Sequence, residues 1–214
     1  MTKNQSSYLK FMLPVMFLVI GVFLTMLVYT FLIDRSPETG SADAGFARDM
    51  ATHHKQAVDM SFTIRNKSTD EDVRTLAYDI ANTQSTQAGM LMGWLQQWGL
   101  PQASSEKPMT WMSSGSSMGH SSMGHNSNQP NLMPGMATPA EIEKLKALSG
   151  PEADIMFLQL MIRHHMGGVS MAKGILERSN RPEVRQLART IVDGQQAEMD
   201  LMKEMLKERG ANNN

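Results

Sequence analysis

Residues 46–99 and 157–210 are two copies of one pattern, and this duplication limits the possible folds more than any other feature of the chain. The stretches "FARDMATHHKQAVDMSFTIRNKSTDEDVRTLAYDIANTQ" and "FLQLMIRHHMGGVSMAKGILERSNRPEVRQLARTIVDGQ" align without a gap. The offset is about 111 positions, and followed to Gly99 and Gly210 the match gives about 16 identities over about 54 positions. Phe46 falls on Phe157, Met50 on Met161, and His53-His54 on His164-His165. Further along, Met60 falls on Met171, Val73-Arg74 on Val184-Arg185, and Gln84 on Gln195.

Each copy reads as two helices. Phe46, Met50, His53, Ala57, Met60 and Ile64 recur at alternating steps of four and three, which lines one helical face. "NKSTDEDV" breaks that helix, and Ser68 with Glu71 has the spacing of a capping box that opens the next. Val73, Leu76, Ile80, Gln84, Leu91 and Trp98 continue it to "WGLP", a glycine stop followed by proline. The second copy repeats the scheme, with Ser179 as cap, Pro182 in the first turn and Gly210 at the end. Neither hairpin can bury its apolar stripe alone. The expected fold is therefore all-α: a four-helix bundle built from two repeated helical hairpins.

Ahead of the repeats, "FMLPVMFLVIGVFLTMLVYTFLI" (Phe11 to Ile33) runs about 23 residues without a charge, enough to span a hydrocarbon core of ~30 Å. It exceeds the roughly 7–15 apolar residues of a cleavable signal, although the small-x-small triplet Ala42-Asp43-Ala44 has the form of a cleavage site. Lys3 and Lys10 precede it, and Asp34, Arg35, Glu38 and Asp43 follow. The positive-inside rule then keeps the N-terminus cytoplasmic and carries everything after Asp34 outside, as a single-pass membrane protein with its C-terminal domain in the periplasm or at the cell exterior. The expected organisation is a tail and transmembrane anchor over 1–35 and a bundle over 42–210. The bundle comprises repeat one (42–99), a Met/His-rich loop (100–137) and repeat two (151–210). After that loop, "TPAEIEKLKAL" carries a Thr138/Glu141 capping box and Pro139, and predicts a short extra helix.

Composition adds two constraints. The chain has no cysteine and 21 methionines. A thiolate metal site and a disulfide framework are both excluded. Methionine is a flexible core filler, and its thioether is also a soft ligand suited to Cu(I). The formal net charge of −1 gives no basis for binding nucleic acid.

The histidines sit at a definite level of the bundle. His53 lies about 15 residues before the turn at Ser68 and Gln84 about 16 after it, so at 1.5 Å per residue both are about 22–24 Å from the turn. His164 and Gln195 share the same level relative to Ser179. A polar layer should therefore cross the core, flanked by Met50, Met60, Met161 and Met171. A buried polar group costs a few kcal/mol unless paired, and either a metal or a His–Gln hydrogen-bond network would satisfy it. Adjacent helical residues point about 100° apart, so His53 should face the core and His54 its edge, near the partner helix or solvent. Met60 and Met171 are equally well explained as core filler. The loop holds a third cluster, Met112, Met118, His120, Met123, His125, Met133 and Met136, in which Met-Gly-His occurs twice. Rich in Ser, Gly, Pro and Asn, it should be mobile. Methionine gains nothing by packing in a solvated loop, so these side chains point to a thioether–imidazole chelator for Cu(I) or Cu(II).

The doubled "HH" segments resemble the signature of the domain of unknown function 305 family over roughly Ala42 to Gly210. That resemblance implies an exported, ferritin-like four-helix bundle, with some members tied to copper binding and copper tolerance. It carries over to Met50, His53, His54, Met60, Met161, His164, His165 and Met171. Glutamine and then glycine or alanine often follow the histidines in that family; here the copies read "HHKQA" and "HHMGG", and Lys55 adds a charge beside the first pair.

Three functions compete. The first is a membrane-anchored extracytoplasmic copper-binding protein, not an enzyme, that sequesters or transfers copper. Its partners would be metal ions, the membrane through the apolar helix, a copper-donor or copper-acceptor protein and a second copy of itself. The second is a di-iron oxidase or ferroxidase on the same bundle, but no Glu-x-x-His is present. Only Glu198 is a carboxylate placed near the histidine layer, and Gln87 occupies the equivalent position. The third is a structural or interaction bundle whose polar layer fixes helix register. No catalytic residue and no phosphate-binding glycine loop is visible.

Overall fold

The structure, a computed structural model, describes residues 3–33, 36–113 and 132–212. It divides into two compact units, Met1–Ser36 and Pro37–Asn214. The first holds α1 (Lys3–Ile33). Its Met12–Thr30 segment has mean hydropathy 2.4 and exposes its apolar side chains, and it is the one helix among the described residues long and apolar enough to cross a membrane.

The second unit is built on four long helices, α2 (Ala42–Arg65), α3 (Glu71–Gln97), α6 (Gly150–Leu176) and α7 (Pro182–Glu208). Two short helices, α4 (Thr110–Ser113) and α5 (Pro139–Ala147), lie in the connection between the hairpins. All described elements are helical, so the expected fold class is the observed one. α2 packs on α3 and α6 on α7, and the hairpins meet chiefly through α2 and α6. The start of α2 and the end of α6 share one apolar cluster, and the end of α2 and the start of α6 share another. α2 and α6 are therefore antiparallel, and α3 and α7 follow the same relation.

The repeated Val-Arg pair has a structural reason. Val73 and Val184 are fully buried. Arg74 donates to the carbonyls of Arg65 and Ser68, and Arg185 to those of Leu176 and Ser179. Each arginine thus satisfies one carbonyl that the preceding helix leaves open at its C-terminus and one in the turn that follows. The glycine stops are as expected: Gly99 and Gly210 adopt φ of +70° and +65°, and Leu100 and Ala211 each donate back across the last turn, to Leu95 and Leu206. The Thr138–Glu141 capping box forms in both directions.

Two local expectations fail. Ser68 does not cap α3: Asp70 does, accepting from the backbone N–H of Asp72 and Val73, while the Ser68 hydroxyl accepts from Asp70 N–H inside the turn. Ser179 likewise accepts from Arg181 N–H, one step outside α7. The hydroxyls are spent closing the turns, so the caps fall two residues later. The described parts of the connection, 100–113 and 132–137, are also packed on the bundle more than their composition implies. Trp111 on α4 packs edge-on against Phe46 at 5.8 Å and, with the Met109 N–H, donates to the Asp49 carboxylate.

Candidate metal centre

The core of the bundle is two apolar clusters separated by polar side chains. One cluster holds Met60 and Met161, the other Met50 and Met171, all essentially inaccessible to solvent. Between them lie His53, His54, His164, His165, Gln84 and Gln195, all buried. The layer predicted from counting residues to the turns is present, with its flanking methionines. His54 and His165 lie at the edge of the layer, against the partner helix of their own hairpin. Both are fully buried, because α3 covers His54 at Gln87 and α7 covers His165 at Glu198.

His53 and His164 stack across the α2–α6 interface, with ring centroids 3.7 Å apart and planes tilted by 32°. Each doublet separates its own two rings by a little over 6 Å. Three rings are anchored through Nε2. His53 Nε2 bonds the Pro134 carbonyl at 3.1 Å, His164 Nε2 the His53 carbonyl at 3.0 Å, and His165 Nε2 the Glu198 carboxylate at 2.6 Å. Carbonyls and carboxylates only accept, so in each case Nε2 carries the proton and donates. In a neutral ring so tied, the lone pair is on Nδ1.

All four Nδ1 atoms are buried without a hydrogen-bond partner, as are His54 Nε2 and both amide atoms of Gln84 and Gln195. Gln87 influences the His54 ring without making a well-formed hydrogen bond to it. Burial holds the rings of His53, His54 and His164 neutral. It lowers the pKa of His53 to about 4, against the partly opposing Pro134 carbonyl, and that of His54 to about 3, with His53 and His165 adding to the effect. It also holds His164 well below the ordinary range, the neighbouring rings contributing next. A neutral imidazole with one nitrogen donated to an oxygen and the other bare is the form in which histidine ligates metal. Among the described residues no three His, Asp or Glu side chains are grouped to hold one ion by themselves. A metal here would draw on imidazole nitrogen with thioether sulfur, a donor set that suits copper.

A strap formed by residues 132–138 crosses the layer between α2 and α6. His53 holds it at Pro134, and the Gln56 amide pairs with both backbone groups of Ala137 at 2.9 and 2.7 Å. At the equivalent position of the second copy, Gly167 gives it room: a Cβ there would meet the Pro134 oxygen at 1.9 Å. Gly168 similarly leaves space for the Gln195 amide, whose Oε1 would lie 2.4 Å from a Cβ. The contrast between "HHKQA" and "HHMGG" thus records how the two halves seat one strap. Sequence reasoning noted the contrast without finding its cause.

The loop residues separate. Met133 is buried and Met136 packs on the same cluster as Met50. Met112 lies over Gly174 on α6, ten residues beyond His164 and so about 15 Å along the helix. These three are packed in apolar surroundings, so the argument from a solvated loop does not apply to them. Met118, His120, Met123 and His125 lie outside the described residues.

Residues 43–206 match the family described as Domain of unknown function (DUF305). The chain belongs to the DUF305 family. A DUF305 protein from Streptomyces coelicolor is 50% identical, superposing with TM-score 0.73 over 83% of this chain and 99% of that one. A DUF305 fragment from Deinococcus radiodurans is 34% identical, with TM-score 0.63 over 78% and 96% of the two chains. CopM in its Cu(II)-bound form is 26% identical, with TM-score 0.56 over 78% and 97%. The uncharacterized protein L153 of Acanthamoeba polyphaga mimivirus is 38% identical over 60 residues, a match spanning 28% of this DUF305 chain and 40% of L153.

Proposed function

We propose that this DUF305 protein is a membrane-anchored, extracytoplasmic copper-binding protein that sequesters copper or passes it on. The observation that carries the reading is the set of buried Nδ1 atoms, without a hydrogen-bond partner among the described residues, in a layer that lies between two methionine-bearing apolar clusters. Leaving such groups unpartnered costs about 1–3 kcal/mol each, and a soft cation removes that cost. His53, His54, His164 and His165 would supply nitrogen, and Met50, Met60, Met161 and Met171 sulfur. The Cu(II)-bound state of CopM supports copper as the cargo. The Met-Gly-His units of the loop would form a second binding element that captures ions. The apolar α1, with lysines before it and acidic residues after, supports an anchor with the bundle outside, and the Streptomyces relative carries the designation of a secreted protein.

The oxidase reading draws less support. Carboxylate-bridged di-iron bundles take Glu from two helices and Glu-x-x-His from two more. Among the described residues Glu198 alone is a carboxylate hydrogen-bonded to the layer, with Gln87 in the matching place.

The test is titration of the full chain in detergent micelles with Cu(I) without oxygen and with Cu(II) in air. Paired His53→Ala/His164→Ala and His54→Ala/His165→Ala variants and a deletion of residues 114–131 complete the set, with circular dichroism to establish folding. Loss of bound copper in the histidine variants supports the layer, and loss in the deletion supports the loop. Equal binding by wild type and all variants refutes both assignments.

A further inference from the structure

The two halves of the histidine layer are related by the duplication, yet they differ in charge at the two positions beside each doublet. Next to His165, the second half has Met166 in the chain and Glu198 across the hairpin. Next to His54, the first half has Lys55 and Gln87. Both differences act in the same direction: the second half loses a positive neighbour and gains a negative one. The geometry differs too. Glu198 accepts from His165 Nε2 at 2.6 Å, while both ring nitrogens of His54 lack a partner.

A carboxylate hydrogen-bonded to the far nitrogen of a ligating histidine fixes the ring's orientation, makes the near nitrogen more basic and offsets part of the cation's charge. The offset matters more as the charge of the buried ion rises, because desolvation of a doubly charged ion is far costlier than that of a singly charged one. Soft thioethers and a neutral amide, by contrast, suit a singly charged ion. Resting on the copper-binding reading above, we propose that the halves are specialised: the His165 half, positioned by Glu198, accepts Cu(II), and the His54 half, beside Gln87, accepts the singly charged soft ion. Glu198 is a positioning residue here, acting through His165, and it reaches solvent with about a quarter of its side chain, so it also connects the buried layer to the surface.

The experiment uses the full chain in detergent with the loop donors removed (Met118→Ser, His120→Ser, Met123→Ser, His125→Ser). Cu(II) and Ag(I), a redox-stable stand-in for Cu(I), are titrated separately against competing chelators, and Cu(II) is followed by electron paramagnetic resonance. Glu198→Gln should weaken Cu(II) by about 10–100-fold while leaving Ag(I) within about threefold. Gln87→Glu, which leaves the second half intact, should create an additional Cu(II) site that His54→Ala abolishes. A Glu198→Gln variant that weakens both ions alike, or neither, overturns the specialisation. So does wild-type Cu(II) binding that is lost in His54→Ala and retained in His165→Ala. A parent chain that binds neither ion refutes the copper-binding layer itself, and the specialisation with it; one that binds both ions with Glu198→Gln silent refutes the specialisation alone.

Discussion

Replacing Gln84 and Gln195 together with methionine should make the metal-free protein more stable. Both side chains are buried, at 1% and 4% exposure, and neither amide atom of either has a hydrogen-bond partner. Methionine has nearly the same length and volume, which matters at Gln195, whose amide is seated tightly over Gly168. The substitution removes two desolvated amides and joins the apolar clusters above and below. An unmade buried hydrogen bond costs about 1–3 kcal/mol per group, so the pair should contribute about 2–6 kcal/mol. At about 2–4 °C per kcal/mol for a domain of this size, Tm should rise by at least about 4 °C. The assay is thermal unfolding of the full chain by circular dichroism, with a chelator present throughout. An unchanged or lower Tm would mean that the amides are satisfied in solution, and that the layer is an ordinary hydrogen-bond network rather than a set of groups left open. The expected rise would mean that the fold keeps polar groups at a cost to its own stability, as binding sites do.

Acidification should destabilise the metal-free bundle. The rings of His53 and His54 titrate at about 4 and about 3 in the fold, against 6.5 when unfolded. Between those limits the unfolded chain takes up protons that the folded one refuses, so stability is full above about pH 6.5 and falls as the pH drops toward 4. Denaturant midpoints at pH 7.5 and 5 should show the fall, and His53→Leu should reduce it; equal midpoints would contradict neutral buried rings. Two glycine substitutions should act oppositely. Gly194→Ala, with open space around its Cβ, should stabilise α7 by about 0.5–1 kcal/mol. Gly167→Ala, whose Cβ would strike the Pro134 carbonyl, should cost about 1–3 kcal/mol and speed hydrogen exchange over residues 132–138. Similar shifts for both would show that the strap does not press on α6.

The duplication made the bundle and its polar level legible, because helical rise and turn position convert sequence distance into height along the axis. His53, His164, Gln84 and Gln195 followed from that conversion alone, and so did the proximity of Glu198 to the layer. The burial of His54 and His165 did not. Whether a residue 100° off the central stripe meets solvent depends on how closely the neighbouring helix approaches, and that distance is absent from a one-dimensional pattern. The packing of Met112, Met133 and Met136 was not legible for a related reason: a Ser/Gly-rich composition describes local chain freedom, whereas their surroundings come from Trp111, Gly174 and the strap.

The sequence by itself determined four amphipathic helices, their pairing into two related hairpins and the height at which histidine crosses the core. These depend on periodicity and on counting. Only the tertiary structure decided which nitrogen of each ring is tied to oxygen, that a strap lies across the layer, and that Glu198 bonds the ring of His165 while both nitrogens of its counterpart His54 are left without a partner. Those are outcomes of the α2–α6 contact and of segments returning from far along the chain, and directional hydrogen bonding exists only once those partners are in place.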